Sequence, residues 1–440
     1  MGTTALSTLI QRTAQQLDDW IEVLVTTAIA ANNSIISTNL KQYDGGQDDY
    51  FNNWWVYITD KANAGVLRQV SDYATATGTL TVYGSALTTD GANLATIDVF
   101  RYSRNFYLNA LNDASREIYP DLHRRLDDIT LVTGNILPNS AFKDWASTAI
   151  PDFWGVTNAA AVANTTSTYL RGAKKNVKVT ASAANGSMYV DSLAYPRLLD
   201  LMGHTVTFKA WAYPEVANDA KIEIYTLKAD STAQTLTSTT TNPAGKWTLL
   251  ELENQGINDE LSFISIRLKV TTNAKYVYFE NARLTGRDIT EYLLPQDFQD
   301  GALNQVYIQE SGSADDWCDD IHPIFEDEPL HSCKIIDDGT DKFLNTGVIL
   351  SSKKLLRLIG KIPLETLSAA TDTVSISGKE LNLLVAYAKY KLFQQKVGIP
   401  ASMDVSRYQG MLADAYGEYM RLLPHLKMAS PQITMRLPSL

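Results

Sequence analysis

From Ser103 to Asp127 the apolar residues Phe106, Ala110, Leu111, Ala114, Ile118, Leu122 and Leu126 recur at steps of three and four. That spacing predicts one buried face of an amphipathic helix. Ser103 is placed to cap its start, and Pro120, which has no N–H to donate, is expected to kink or split it late. At 1.5 Å per residue the element would be a rod of roughly 35 Å, which needs helical partners. These are predicted at both ends of the chain. Leu6, Leu9, Ile10, Leu17, Ile21 and Leu24 keep helical spacing between Thr4 and Leu24. Lys379 to Gln395 aligns Leu381, Leu384, Val385, Ala388, Leu392 and Phe393, and Asp404 to Leu423 aligns Tyr408, Leu412, Ala415, Tyr419 and Leu422. Gly398, Pro400 and Asp404 between them supply a stop and a start, so an antiparallel helix pair is expected. Beyond Pro424 the chain should be extended, and residues 428–440 form an apolar and basic tail suited to docking on a neighbour.

Between the first helix and the rod the period changes. Six short runs rich in β-branched and aromatic residues, among them WWVYITD, GTLTVYG and ATIDVFRYS, are separated by Asn, Asp and Gly clusters. They predict a small antiparallel barrel or meander, with Trp54, Trp55 and Tyr57 supplying its core and an aromatic edge. From Asn135 to Gly286 the composition turns to Thr, Ala, Asn and aromatics, and seven or more strands alternate, most clearly in TVTFKAWAY and SFISIRLKV. Such alternation predicts two half-buried sheets, a sandwich complete in itself and inserted with its ends close together. The fold class expected is therefore α+β multidomain. A discontinuous domain of residues 1–134 and 288–440, a helical bundle with a small antiparallel β-barrel, would carry an all-β jelly-roll sandwich of residues 135–287.

A chain of 440 residues is too long for one core, and 45% hydrophobic with 20% charged residues is a globular composition. No run of about 20 apolar residues could span a membrane, and the first residues form an amphipathic helix rather than a secretory signal. A net charge of −11 opposes tight nucleic-acid binding while allowing DNA to pass by. Two cysteines cannot build a disulfide scaffold. Cys318, His322, His331 and Cys333 number enough for a zinc site, but structural sites use tight paired knuckles, and here Pro323 and acidic residues intervene. Reduced thiols are expected, with no cofactor or metal. Asp315, Asp316, Asp319, Asp320, Glu326, Asp327 and Glu328 lack the ligand order of a calcium loop and are expected to face water. There is no GxSxG, P-loop, GxGxxG or HExxH motif, and the five histidines are scattered, so no enzyme is predicted. Trp145, Trp154 and Tyr189, with Trp211 and Trp247, are candidates for stacking on sugar rings; the alternative is that they fill the sandwich core.

The outer segments carry a resemblance. WWVYITDKANAGVLRQVSDYATATGTLTVYG, the helix FYLNALNDASREI, then EYLLPQDF, LLRLIGK, LSAATDTVSI and ELNLLVAYAKYKLF follow one another as in structural proteins from the head-to-tail joining region of tailed bacteriophages. The series covers most of residues 1–134 and 288–440. The insert is similar to carbohydrate-binding-module jelly rolls of glycoside hydrolases and phage virion proteins: Asn139, Phe142, Trp145, Pro151 and Trp154 match their opening segment. Glu280 and Asn281 stand where that family has an acidic residue in its last strand, a departure from its calcium site.

The first resemblance implies a head-to-tail adaptor: a homo-oligomeric ring, twelve-fold by resemblance, below the portal protein and above tail or nozzle proteins, through which DNA leaves the head. Such a subunit belongs to the virion neck and is assembled in the host cytoplasm. In that reading Ile433, Met435 and Leu437 are apolar anchors of the docking tail and Arg436 its polar clamp. The alternative is a receptor- or glycan-binding virion protein whose working part is the jelly roll and whose partner is a surface glycan.

Overall fold

The computed structural model describes residues 2–146, 149–164, 176–299, 302–310, 312, 323–351, 353–397 and 405–427. They form two compact units, residues 1–124 with 363–440, and residues 125–362. The expected insert, 135–287, lies inside the second unit, which also takes in the strands up to Ile362.

In the first unit a six-stranded antiparallel sheet runs in the order Ile21–Leu24, Thr96–Phe100, Trp55–Ile58, Leu67–Ala74, Thr79–Val82, Ser34–Ile36. Alternate residues of these strands, among them Val23, Val56, Val70, Leu80, Ile97 and Val99, close a core of their own. A second core joins the helices Leu6–Gln15, Arg104–Glu117, Lys379–Val397 and Val405–Lys427 through Leu9, Ile10, Leu111, Ala114, Leu384, Ala388 and Tyr419. Ser103 Oγ accepts from the Asn105 N–H at 3.3 Å and so caps the central helix as expected.

The α+β expectation, a helical bundle with a small antiparallel β-barrel plus an inserted all-β jelly-roll sandwich, is overturned. Among the described residues strands account for 37% and helix for only 20%, so the protein is mainly β. Three elements explain the difference. The rod is a helix of 14 residues, roughly 21 Å, that ends at Glu117, and Arg124–Val132 is a strand. Leu126 and Asp128 are buried there at period two, a pattern the three-and-four count had absorbed. The first helix also stops early, at Gln15, and Ile21–Leu24 is an edge strand. Asp18 takes a left-handed φ of 52°, and the buried Asp19 turns back to accept the Arg101 N–H at 2.5 Å. At the other end the last helix contains Pro424 and continues to Lys427. A proline three residues from a helix end forfeits one hydrogen bond and does not stop the turn. Residues 428–440 lie outside the described residues.

The second unit is built on the sandwich. One antiparallel sheet has the order Ala159–Asn164, Asn176–Ala181, Tyr276–Thr285, Thr205–Pro214, Thr248–Gly256. The other runs Ala233–Thr237, Ala220–Lys228, Leu261–Val270, Gly186–Asp191, Gly155–Thr157. Phe142, Val177, Val190, Phe208, Ile222, Ile224, Ile264, Ile266, Leu268 and Phe279 fill the space between them. Two three-stranded sheets with a core of Leu126, Tyr292, Phe298, Leu344 and Leu358 complete the unit. Lys143, in the opening loop of the sandwich, pairs with Asp128 at 2.7 Å and Asp297 at 2.9 Å. No described helix is long and apolar enough to cross a membrane.

Candidate functional site

In the second sandwich sheet alternation sends Ile222, Ile224, Ile264, Ile266, Leu268, Met188 and Val190 into the core, so their neighbours face outward. Register aligns those neighbours in rows across the strands. Lys221, Lys269, Ser187 and Thr157 form one row; Thr237, Glu223, Arg267, Tyr189 and Gly155 the next; Tyr225, Ser265 and Asp191 the third. The result is a groove of about 390 Å³ whose walls include Tyr189, Asp191, Phe263, Arg267 and Lys269.

Glu223, on the strand beside the groove, anchors two of its lining residues. Its side chain is only 4% exposed and accepts hydrogen bonds from Lys269 Nζ at 2.8 Å, Arg267 Nη1 at 3.1 Å and Thr237 Oγ1 at 3.1 Å. Burial alone would push its pKa up; the bonds from Lys269 and Thr237 and the charge of Arg267 outweigh it and hold the carboxyl below its ordinary value. Arg267 is fixed further by its guanidinium lying 4.4 Å over the Tyr225 ring and by Nε donating to Ser265 Oγ at 3.3 Å. Tyr189 leans over Gly155, where a Cβ would come within 3.0 Å of the tyrosine ring. Glycine there is what lets the ring lie against its neighbouring strand. Asp191 Oδ1 accepts from the Leu193 and Ala194 N–H groups, both at 3.0 Å. The groove thus offers an aromatic face, an immobilised guanidinium and ammonium, hydroxyls and a carboxylate.

Of the three stacking candidates, Tyr189 alone stands in this groove. Trp154 is buried at 5% exposure, packs edge-on against Phe142 at 5.2 Å and donates to the Pro138 carbonyl at 3.3 Å. The ring is part of the sandwich core. Trp145 is half-buried against the same core and donates to the Phe142 carbonyl at 2.7 Å. Trp211 and Trp247 belong to the opposite sheet and its approach, with Trp247 5.6 Å from Tyr213. Glu280 is buried and accepts from Asn176 Nδ2 at 3.4 Å.

Cys318 and His322 lie outside the described residues, as do Asp315, Asp316, Asp319 and Asp320. Cys333 is half-buried with its thiol pKa pushed up by burial, and His331 is exposed. Among the described residues no cluster of His, Cys, Asp or Glu is arranged to hold a metal ion. Ile433, Met435, Arg436 and Leu437 also fall outside the described residues. The groove-lining residues that sequence reasoning missed include Ser187, Asp191, Phe263, Arg267 and Lys269, and Lys221, Glu223 and Tyr225 stand beside them on the adjoining strand. Their signal was present as charges alternating with isoleucines in AKIEIYTLKA and SFISIRLKV, but the rows they form depend on strand register.

No protein-family model matches the chain, and no curated protein matches it in sequence. Among solved structures it is similar to the C-terminal family 22 carbohydrate-binding module of Clostridium thermocellum Xyn10B, at 12% identity and a TM-score of 0.29, covering 35% of this chain and 95% of that one. TmCBM61 in complex with β-1,4-galactotriose matches at 13% identity and a TM-score of 0.26, covering 35% of this chain and 99% of that one. The enzymatically active domain of bacteriophage CBA120 tailspike protein 4 matches at 9% identity and a TM-score of 0.26, covering 35% of this chain and 22% of that one. These findings give no support to a head-to-tail adaptor. At such scores the functional reading has to rest on the groove itself.

Proposed function

We propose that the sandwich of this protein binds a glycan in the groove of its second sheet, without catalysing a reaction. The observation that carries the reading is the Tyr189 ring set against Gly155 and flanked by donors and acceptors already locked in place. A sugar has an apolar C–H face and an equatorial rim of hydroxyls, and an aromatic platform edged by fixed polar groups matches both. Fixed groups also reduce the ordering cost of binding. Placement on a phage particle belongs to the same proposal and is supported by the resemblance of the flanking segments to head-to-tail region proteins.

The test is a glycan array probed with the full chain, followed by calorimetric titration of whatever binds. Tyr189→Ala should weaken binding at least ten-fold, while Trp247→Ala, on the other sheet, should leave it unchanged. A chain that binds no glycan, or one that loses binding equally in both variants, overturns the reading.

A further inference from the structure

The charges do not balance on the outer sheet face that carries the groove, where Arg267 and Lys269 line it and Lys221 stands at its side. Lys221 and Lys269 stand directly opposite each other on adjacent strands, and Arg267 occupies the next outward position beside Lys269. Glu223 answers both Lys269 and Arg267, and its remaining bond goes to Thr237. Lys221 has no ion-pair or hydrogen-bond partner among the described residues. Asp191 sits one row further on and spends one oxygen on backbone N–H groups. Like charges directly opposite on paired strands destabilise a sheet. Two adjoining rows therefore hold three cations and one carboxylate, in a chain whose net charge is −11.

We infer that the ligand of this groove is an acidic glycan, whose carboxylate or sulfate sits between Lys221, Lys269 and Arg267 while a neighbouring sugar ring lies on Tyr189. The inference rests on the glycan-binding reading above. An anion there supplies the counter-charge the face lacks, and Arg267, already pinned over Tyr225, presents its donors without further ordering. Overall negative charge repels polyanions in general, so attraction has to be local.

The test titrates the full chain with polygalacturonate, dextran sulfate, a neutral glucan and a neutral galactan. One of the acidic polymers should bind at least ten-fold more tightly than either neutral one; which of them does identifies the anionic group. Lys221→Gln should weaken that binding about five-fold and flatten its salt dependence, while Lys178→Gln on the opposite sheet leaves both unchanged. Neutral polymers binding as well as the acidic ones would overturn the inference and leave the groove as a neutral-glycan site. Equal losses in the two lysine variants would overturn it as non-specific attraction. If none of the four polymers binds and the array is also blank, the glycan-binding reading falls with it.

Discussion

Replacing Glu223 by glutamine keeps the shape of the side chain beneath Arg267 and Lys269 and removes its buried negative charge. The carboxylate lies 2.8 Å from Lys269 Nζ and 3.1 Å from Arg267 Nη1, with 4% of its side chain exposed. Breaking a fully buried pair by removing one partner costs about 3–5 kcal/mol. Here the Arg267 and Lys269 side chains keep 29% and 19% of their surface in water, which screens part of the loss, so about 2–3 kcal/mol is expected. For a unit of this size 1 kcal/mol moves the midpoint by about 2–4 °C, so calorimetry of the full chain should show the affected transition lowered by roughly 4–12 °C. Adding Lys221→Gln should restore part of the loss, because it thins the cation cluster that Glu223 had balanced. An unchanged midpoint in the single variant would refute the reasoning, and so would strict additivity in the double. The pH dependence has a definite sign. Since the folded carboxyl is held below its ordinary value, its stabilisation is complete above the unfolded pKa of about 4.3 and is lost as pH falls through the folded value. Glu223→Gln should lack that share of acid sensitivity.

Burial raises the pKa of Asp98 to about 6, against a hydrogen bond from Trp20 Nε1 at 3.1 Å, with Glu22 adding to the rise and Arg104 opposing it. A folded pKa above the unfolded one means that stability increases as pH falls from 7 through 6 toward 4, and Asp98→Asn should remove that slope from urea midpoints measured across the window. Gly286 has a φ of 139°, and a Cβ there would lie 2.3 Å from the Thr205 carbonyl oxygen; Gly286→Ala should cost more than about 2 kcal/mol in urea unfolding, while Gly256→Ala, with open space around it, should be near neutral.

How far the sequence could be read depended on which period a segment obeys and on how far away its partners are. In Thr205–Pro214 and Leu261–Val270 the core residues Val206, Phe208, Ala210 and Ile264, Ile266, Leu268 recur at period two, and the sandwich was legible from them. The C-terminal helices were legible because Leu384, Ala388 and Leu392 share one face over several turns. The ends of the first helix and of the rod were not. Ile21 and Leu24 fit a helical count, yet their fate is set by pairing with Val99 and Thr96, more than seventy residues away. The groove was illegible for the same reason. Glu223, Arg267 and Tyr189 are neighbours only through the register of three strands. Trp145 and Trp154 drew attention by type, but the opening loop turns both toward the core.

Period two also separates the two tasks of each strand: the inward residues make the core, and the outward ones can vary without touching it. Glu223 breaks that separation, being an outward residue that is nevertheless buried and ionised. It gives the groove a property that a purely structural ion pair would not have. With Glu223→Gln the folded state loses its internal counter-ion, and Lys221, Arg267 and Lys269 are left with the ligand as their nearest source of negative charge. Stability should therefore fall while affinity for an acidic glycan rises, by about three- to ten-fold, and the ligand should raise the melting midpoint more in the variant than in the natural chain. If affinity falls together with stability, Glu223 serves only to hold Arg267 and Lys269 in position, and the cations are not a receptor for an anion. Titration of both chains with the acidic polymer at two salt concentrations separates the outcomes, since only a gain that shrinks with salt is electrostatic.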